Sequence, residues 1–442
     1  MRLVRRLPAI VASAVILLSS AATPAGAAGV TPEAVFNNPI GSADEQDAIV
    51  RKIIHLADAA ATGSTIRMSM FYWDDDRIPD ALAAAKARGV NVQVIVDYKE
   101  IASDKAHYDK LAAALGTDAS KQSWLMTCPQ GRGCVGDRTL GTVTAINHNK
   151  FFLFSSTDGT SNVVVQSSAN LHVGRDGTRG WNNALVLAGN DGIYNAYVKY
   201  FNDLKARKGN ADYYNTGQQP VASANAKIHF YPRKESNGAP YADPSQDTIE
   251  TILDHTECTG NTKYGTPQHH TVIRVSTMIF SRKYLADKLV TLDNQGCYVE
   301  VIDSYNVHSA SEVDSMKKLL AGTTSVYSGP IVYYFCAPAG TPAMYSDPQW
   351  VHSKYLQIEG KYYGGADRRI VWTGSHNLSH NSLRQSDETM LMLEATDPTS
   401  EAIYNGYTSN FWDMINASNG TGVPHTAPNG TATDSLKCAQ SA

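Results

Sequence analysis

The sequence is short of positive charge. Its 442 residues hold 38 Lys and Arg against 42 Asp and Glu, and the first 27 residues read as a removable leader that takes Arg2, Arg5 and Arg6 with it. What is left is 35 against 42, a net charge of −7. A general nucleic-acid binder draws its affinity from Lys and Arg set against phosphates, so this balance speaks against nucleic acid as a partner. None of the six cysteines stands in a C-x-x-C pair, which argues against a structural zinc site. No metal or cofactor is expected. The apolar run Ala9 to Leu18 falls well short of the ~20 residues needed to span a bilayer.

What is present fits an exported globular protein. A basic start, that apolar run and the small residues Ala25-Gly26-Ala27 give residues 1–27 the layout of a secretory signal peptide, so the mature chain is expected outside the cell. Export makes disulfides plausible for Cys128, Cys134, Cys258, Cys297, Cys336 and Cys438, and the loop from Cys128 to Cys134 reads as one that a bridge would hold. The length suits two ordinary domains or one large one, and 43% hydrophobic residues support a sizeable core.

The chain repeats itself. Asp44 to Ala61 is patterned as an amphipathic helix, Thr65 to Trp73 as a strand, Ile78 to Arg88 as a helix stopped by Gly89, and Asn91 to Asp97 as a Val-rich buried strand. The same order returns in Thr271 to Phe280, Lys283 to Asn294 and Tyr298 to Asp303. At a constant shift of 207 residues Ile66 meets Ile273, Arg67 meets Arg274, Gly89 meets Gly296 and Val92 meets Val299. Strand, helix, strand is a parallel unit, and its return at fixed spacing indicates duplication. Residues 28–215 and 216–425 are expected to be the two repeats, with 426–442 a flexible tail rich in small polar residues.

Chemistry-bearing residues recur with the same spacing. His352 and Lys354 stand two apart, as do His148 and Lys150, and on a strand each pair would share a face. An imidazole that titrates near neutrality beside a fixed ammonium suits a phosphate. Gly374-Ser375-His376-Asn377 follows the second pair, and Ser167-Ser168-Ala169-Asn170 follows the first. Asp74-Asp75-Asp76, just ahead of Ile78-Pro79, reads as a helix cap rather than a metal site.

In these residues the chain resembles the phospholipase D superfamily, marked by a duplicated H-x-K-x4-D motif with a G-S-x-N element downstream. The second copy has Glu359 at the Asp position; the first has Ser155 there, and Ser167-Ser168 in place of Gly-Ser. The resemblance implies two similar α/β/α domains related by a pseudo-twofold axis, with one active site at their interface. It also implies a metal-free reaction in which one His attacks phosphorus while the other protonates the leaving alcohol and then activates water. Lys150, Lys354, Asn170 and Asn377 would hold the phosphoryl oxygens, with Ser375, Gly374 and Ser168 lining the substrate. The resemblance also implies a carboxylate just before the strand that follows G-S-x-N, bonded to the motif His. Glu388 fits that place in the second half and Asn183 in the first, so Glu388 is expected on His352 and Asn183 on His148. A carboxylate favours the imidazolium, which makes His352 the acid and base and His148 the nucleophile.

The expected function is a secreted phospholipase D acting at a membrane or micelle surface. It would cleave the distal diester of a phosphatidylcholine-like lipid, with headgroup exchange as a side reaction. Both half-sites lie on one chain, so a monomer suffices. Two rivals remain: a nuclease or broad phosphodiesterase on the same fold, and a member that binds lipid phosphate without turnover.

Overall fold

The computed structural model describes residues 29–103, 105–174, 176–217, 219–304, 309–321, 327, 329–335 and 351–417. The leader, the tail, Cys336 and Cys438 lie outside the described residues.

Local sequence accounts for the main elements. In strand Thr65–Met70, Ile66, Met68 and Met70 alternate onto one face and are fully buried. They meet Ile49, Ile53 and Leu56 of helix Ala48–Asp58 and Leu82 of helix Arg77–Ala87. The turn after the latter helix runs through Gly89 at φ +89°, a conformation that favours glycine. The single helix expected over Asp44 to Ala61 is instead two. Ser42 and Glu45 form a reciprocal capping box on the short turn Ala43–Gln46, and the chain breaks at Asp47 (φ −98°, ψ 9°), where the N–H of Ile49 turns to Asn37 Oδ1 at 3.1 Å.

Two mixed sheets carry the fold. The first runs in the order Glu33–Asn37, Asn182–Leu187, Thr160–Ser167, Lys150–Thr157, Thr65–Met70, Asn91–Val96, Trp124–Thr127. The second runs Val221–Ser223, Ala226–Phe230, Thr389–Glu394, Gly365–Gly374, Tyr355–Tyr362, Val272–Thr277, Tyr298–Ser304, Ile331–Phe335, with Thr256–Glu257 paired to Tyr355–Tyr362 off that path. From Asn182–Leu187 to Trp124–Thr127, each strand of the first sheet has a counterpart at the same place in the second. The parallel pairs agree in register as well: Ile66 faces Val92, and Ile273 faces Val299. The duplication read from the sequence is therefore one of topology.

One core joins the two sheets. It draws Phe151, Leu153 and Leu185 from the first, Ile228, Val371 and Leu391 from the second, and aromatic side chains from helices Asp191–Ala206 and Pro398–Ala417. Helix Asp191–Ala206 packs on the Val221–Ser223 and Ala226–Phe230 strands of the second sheet, and helix Pro398–Ala417 packs on Glu33–Asn37 of the first. Each half thus lends its closing helix to the other. That exchange makes the line between the sheets a packed interface on which a shared site can be held rigidly.

Disulfides join Cys128 to Cys134, as the loop composition predicts, and Cys258 to Cys297. Among the described residues no helix is long and apolar enough to cross a membrane.

Candidate active site

The His–Lys pairs lie at the head of their strands rather than within them, which corrects the sequence reading. The first strand begins at Lys150 and the second at Tyr355, so His148, His352 and Lys354 precede regular pairing. The cause is a contact across the interface. The N–H of His148 donates to Asp387 O at 2.9 Å, the N–H of Asp387 donates to Ile146 O at 2.9 Å, and the N–H of His352 donates to Trp181 O at 2.9 Å. Each histidine segment is thereby bridged, in parallel, to the residues that open the other half's last strand.

This bridging decides the partners of the histidines. Glu388, next to Asp387, accepts the Nδ1–H of His148 at 2.8 Å. Asn182, next to Trp181, places its Oδ1 2.9 Å from His352 Nδ1. The expected pairing of Glu388 with His352 and of Asn183 with His148 is therefore wrong: the partners cross between halves, and the amide is Asn182. Because side chains alternate along a strand, a shift by one residue sends Asn183 the other way. Its Oδ1 accepts from the Lys354 N–H at 3.1 Å, and its Nδ2 donates to Thr373 Oγ1 and Tyr407 OH.

The two serines hold these partners. Ser375 Oγ donates to Glu388 Oε2, and Ser168 Oγ donates to Asn182 Oδ1 at 2.8 Å. Both hydroxyls thus orient a group that in turn orients an imidazole. Gly374 is required by close approach, since a Cβ there would lie 2.1 Å from Thr389 O. Of the motif amides, Asn170 gives its Nδ2 to Asp176 Oδ2 at 2.9 Å, so a phosphate would compete for that donor. Asn377 is buried, and its Oδ1 has no partner among the described residues. The residues at the motif's acid positions are structural: Ser155 Oγ takes the Thr65 N–H at 2.8 Å, and Glu359 takes the Gly265 N–H at 3.1 Å.

Both lysines are buried, and each Nζ bonds the carbonyl of its own histidine: Lys150 to His148 O at 2.9 Å, Lys354 to His352 O at 2.8 Å. Burial pulls Lys150 down to about 8, and burial together with the neighbouring Lys150 pulls Lys354 well below the ordinary ammonium value. Burial also lowers His148, outweighing the facing Glu388, and lowers His352 further, where Lys354 adds to the effect. Burial opposes the charge of Glu388, yet His148, His376 and Lys150 hold its carboxyl below the usual range. At neutral pH both imidazoles therefore stand uncharged. With each Nδ1–H held by an oxygen, Nε2 is the free nitrogen of each ring.

Several residues here escaped the sequence reading. Asp387 accepts N–H groups from Cys134, Val135 and Gly136, which moors the disulfide loop to the site, and burial pushes its carboxyl up to about 7. It lies within 4.8 Å of Cys128 and Cys134, but both sulfurs are spent in the disulfide, so the trio has no thiolate for a metal. His376 lies tilted against Tyr231 with centroids 4.5 Å apart, and burial lowers its pKa to about 3. Asp74 and Asp176 bracket His172 beside the site. The cap expected of Asp74-Asp75-Asp76 is not formed as predicted: Asp76 makes no side-chain cap bond and pairs with His107 and Lys110, while Asp75 Oδ1 takes the Arg77 N–H at 3.0 Å.

A family model described as "Cardiolipin synthase, PLD-like domain" matches twice, over residues 53–205 and 268–415, well over half of the chain. The chain belongs to the PLD-like family. The first match takes in the first sheet except Glu33–Asn37, the second takes in the second sheet from Val272–Thr277 onward, and each contains one His–Lys pair and one amide element. Membership makes the chain a phospholipase D-type phosphodiesterase. No curated protein matches its sequence. Among solved structures, phosphatidylserine synthase from Haemophilus influenzae Rd KW20 shares 13% identity at a TM-score of 0.56, covering 87% of this chain and 88% of that one, which supports the PLD-like fold. Polyphosphate kinase from Porphyromonas gingivalis shares 11% at 0.47 over 86% of this chain, which spans only 56% of that one. The phospholipase D family member Nuc from Salmonella typhimurium shares 22% at 0.28, covering 40% of this PLD-like chain and 95% of its own.

Proposed function

We propose that this chain is a secreted phospholipase D that hydrolyses the distal phosphodiester of a phosphatidylcholine-like glycerophospholipid to phosphatidic acid and the headgroup alcohol. The observation that carries the reading is the crossed support of the two histidines, a carboxylate on His148 and an amide on His352, with a buried lysine beside each. On this reading the repeats are residues 28–215 and 216–425, and each brings one histidine and one lysine to the pocket.

His148 is the nucleophile. Its Nε2 forms a bond to phosphorus as the P–O bond to the headgroup breaks, and the ring becomes cationic with Nδ1–H still held by Glu388. A carboxylate at that hydrogen stabilises the charge as it develops, as in other nucleophile or base dyads. This reason replaces the one drawn from the sequence, which placed Glu388 on the other ring. His352, once protonated beside the anionic diester, gives its Nε2 proton to the departing oxygen. Its neutral partner Asn182 leaves that proton easy to release. Water then attacks phosphorus, its proton returns to His352, and the His148–phosphorus bond breaks. Another alcohol in place of water yields headgroup exchange. Lys150 and Lys354 neutralise the non-bridging oxygens, where charge gathers in transfer.

Two disulfides among the described residues fit an oxidising compartment and so support export. The test is choline release from phosphatidylcholine vesicles set against degradation of DNA under the same conditions. Choline release that is lost in His148→Ala supports the reading. DNA degradation without choline release overturns it in favour of a nuclease, and vesicle binding without cleavage of either substrate overturns it in favour of a binding-only member.

A further inference from the structure

The two half-sites differ in what stands against them. Strand Thr65–Met70 ends level with Lys150, since Met70 and Lys150 are register partners on neighbouring strands, and Phe71 is the first residue past that end. Its ring meets both members of the first His–Lys pair. The ring centroid lies 5.4 Å from that of the His148 imidazole with the planes at 65°, and Lys150 Nζ stands 5.5 Å from the same centroid. Edge-to-face rings at about 4.5–7 Å attract each other, and an ammonium within ~6 Å of a ring centroid is drawn to the π-face. One side chain thus touches imidazole and ammonium together. At the shift of 207 that relates the halves, Met278 takes the place of Phe71, and among the described residues no ring pairs with His352 or Lys354 in this way. The histidine, the lysine and the amide element are duplicated, but the ring is not.

The unmatched ring falls on the half assigned to attack, and two needs of that half fit it. Lys150 is buried, and burial works against its ammonium, while Glu388, Asp176 and Asp97 favour the charge. Lys354 and Lys150 oppose each other's charge. A π-face adds attraction for the ammonium without adding a carboxylate that would repel the phosphate. Lys99 Nζ also lies 5.8 Å from the centroid, but Lys99 is exposed, and water screens its share. The His148 ring, for its part, is held at Nδ1 by Glu388, a single contact about which it can still tilt. Contact with Phe71 removes that freedom. When the imidazole becomes cationic in attack, the same π-electrons lie close to the new charge.

We propose that Phe71 is a positioning residue of the phosphodiesterase site, holding the His148 ring in its attacking orientation and Lys150 in its charged form. This rests on the reading of His148 as the nucleophile and of Lys150 as a holder of phosphoryl oxygens.

The test replaces the ring while keeping apolar bulk. The Lys150 ammonium is followed through pH by the ¹³Cε shift of labelled lysine in the full chain, assigned by its loss in Lys150→Arg. Phe71→Leu should move the midpoint down by about half to one pH unit, because the π-face that favoured the charged form is gone, while Phe71→Tyr should keep it within about 0.2. Hydrolysis of bis(p-nitrophenyl) phosphate, whose leaving group departs unprotonated, reports the attack itself. Its kcat should fall about five- to tenfold in Phe71→Leu and stay within about twofold in Phe71→Tyr. Lost packing alone would lower the melting temperature and the rate without moving Lys150. An unmoved or raised Lys150 midpoint in Phe71→Leu therefore overturns the proposal. So does an equal downward shift at Lys354, which marks general loosening, or a Phe71→Tyr variant that behaves as Phe71→Leu does. His148→Ala separates the proposal from the reading it rests on. If that variant is inactive yet Phe71→Leu leaves rate and midpoint unchanged, the proposal falls and the nucleophile reading stands. If it keeps full activity while the lysine shift has the expected sign, the hold on Lys150 stands and the nucleophile reading falls.

Discussion

Glu388 holds His148 across 240 residues of sequence, with Oε1 2.8 Å from the imidazole Nδ1, while its other oxygen takes the hydroxyl of Ser375. Each half of the molecule therefore completes the other's histidine, and neither half-site is finished alone. Glu388→Gln keeps the shape of this contact and removes its charge. We expect kcat to fall by about 10²- to 10³-fold with little change in KM, because the lost stabilisation belongs to the charged ring formed during attack. The measurement is steady-state hydrolysis with the melting temperature as a control. A drop in KM-linked binding with kcat intact would show that Glu388 serves the substrate rather than the ring.

The covalent step has its own signature. Rapid acid-free denaturation during turnover of a ³²P-labelled diester should leave acid-labile phosphorus on the peptide that contains His148. His352→Ala loses the acid of the first step as well as the base of the second, so the label should accumulate in this variant only with a diester whose leaving group, such as p-nitrophenolate, departs unprotonated. Label confined to the His352 peptide would reverse the two roles.

The sequence made the chemistry legible but not its wiring. His148, Lys150, His352, Lys354 and the amide elements could be picked out because they recur with fixed spacing, and the Cys128–Cys134 bridge because its loop is short. The pairing of Glu388 with His148 was hidden because it depends on the bridges Asn147 to Asp387 and Trp181 to Val351, tertiary contacts that no local pattern announces. Asn182 was missed in favour of Asn183 because the last strand of the first half includes both, whereas its counterpart starts after Glu388, at Thr389. Asp176 lay in a Gly-rich loop without periodicity, and its importance comes from what Tyr72, Asn170 and His172 bring to it.

The lysines predict the alkaline limb of the pH profile. Lys150 is drawn down to about 8 by burial, and Lys354 is also lowered, by burial and by Lys150. Each is charged below its own lowered pKa and loses its charge as pH rises through it. For the free enzyme, kcat/KM should therefore fall at or below about pH 8 instead of persisting to the ordinary Lys range near 10. A bound diester restores positive charge to both, so the limb in kcat should lie higher. A kcat/KM that stays level to pH 10 would mean that the pocket is better hydrated than its burial implies.

The two disulfides should separate stability from activity. Cys258 and Cys297 close a loop of sequence separation 39, whereas Cys128 and Cys134 are separated by 6. By chain entropy the longer loop contributes about 4 kcal/mol and the shorter about 2 kcal/mol. Cys258→Ala with Cys297→Ala should thus lower the unfolding midpoint more than Cys128→Ala with Cys134→Ala. Activity should follow the opposite order. The short loop presents the N–H groups of Cys134, Val135 and Gly136 to Asp387, and Asp387 O receives the N–H of His148. Releasing that loop loosens the carboxylate, then the bridge, then the ring that attacks. The variant lacking Cys128–Cys134 should therefore lose kcat at temperatures well below its melting point, while the other keeps near-normal kcat until it unfolds. If both variants lose activity only on melting, the loop has no part in holding His148.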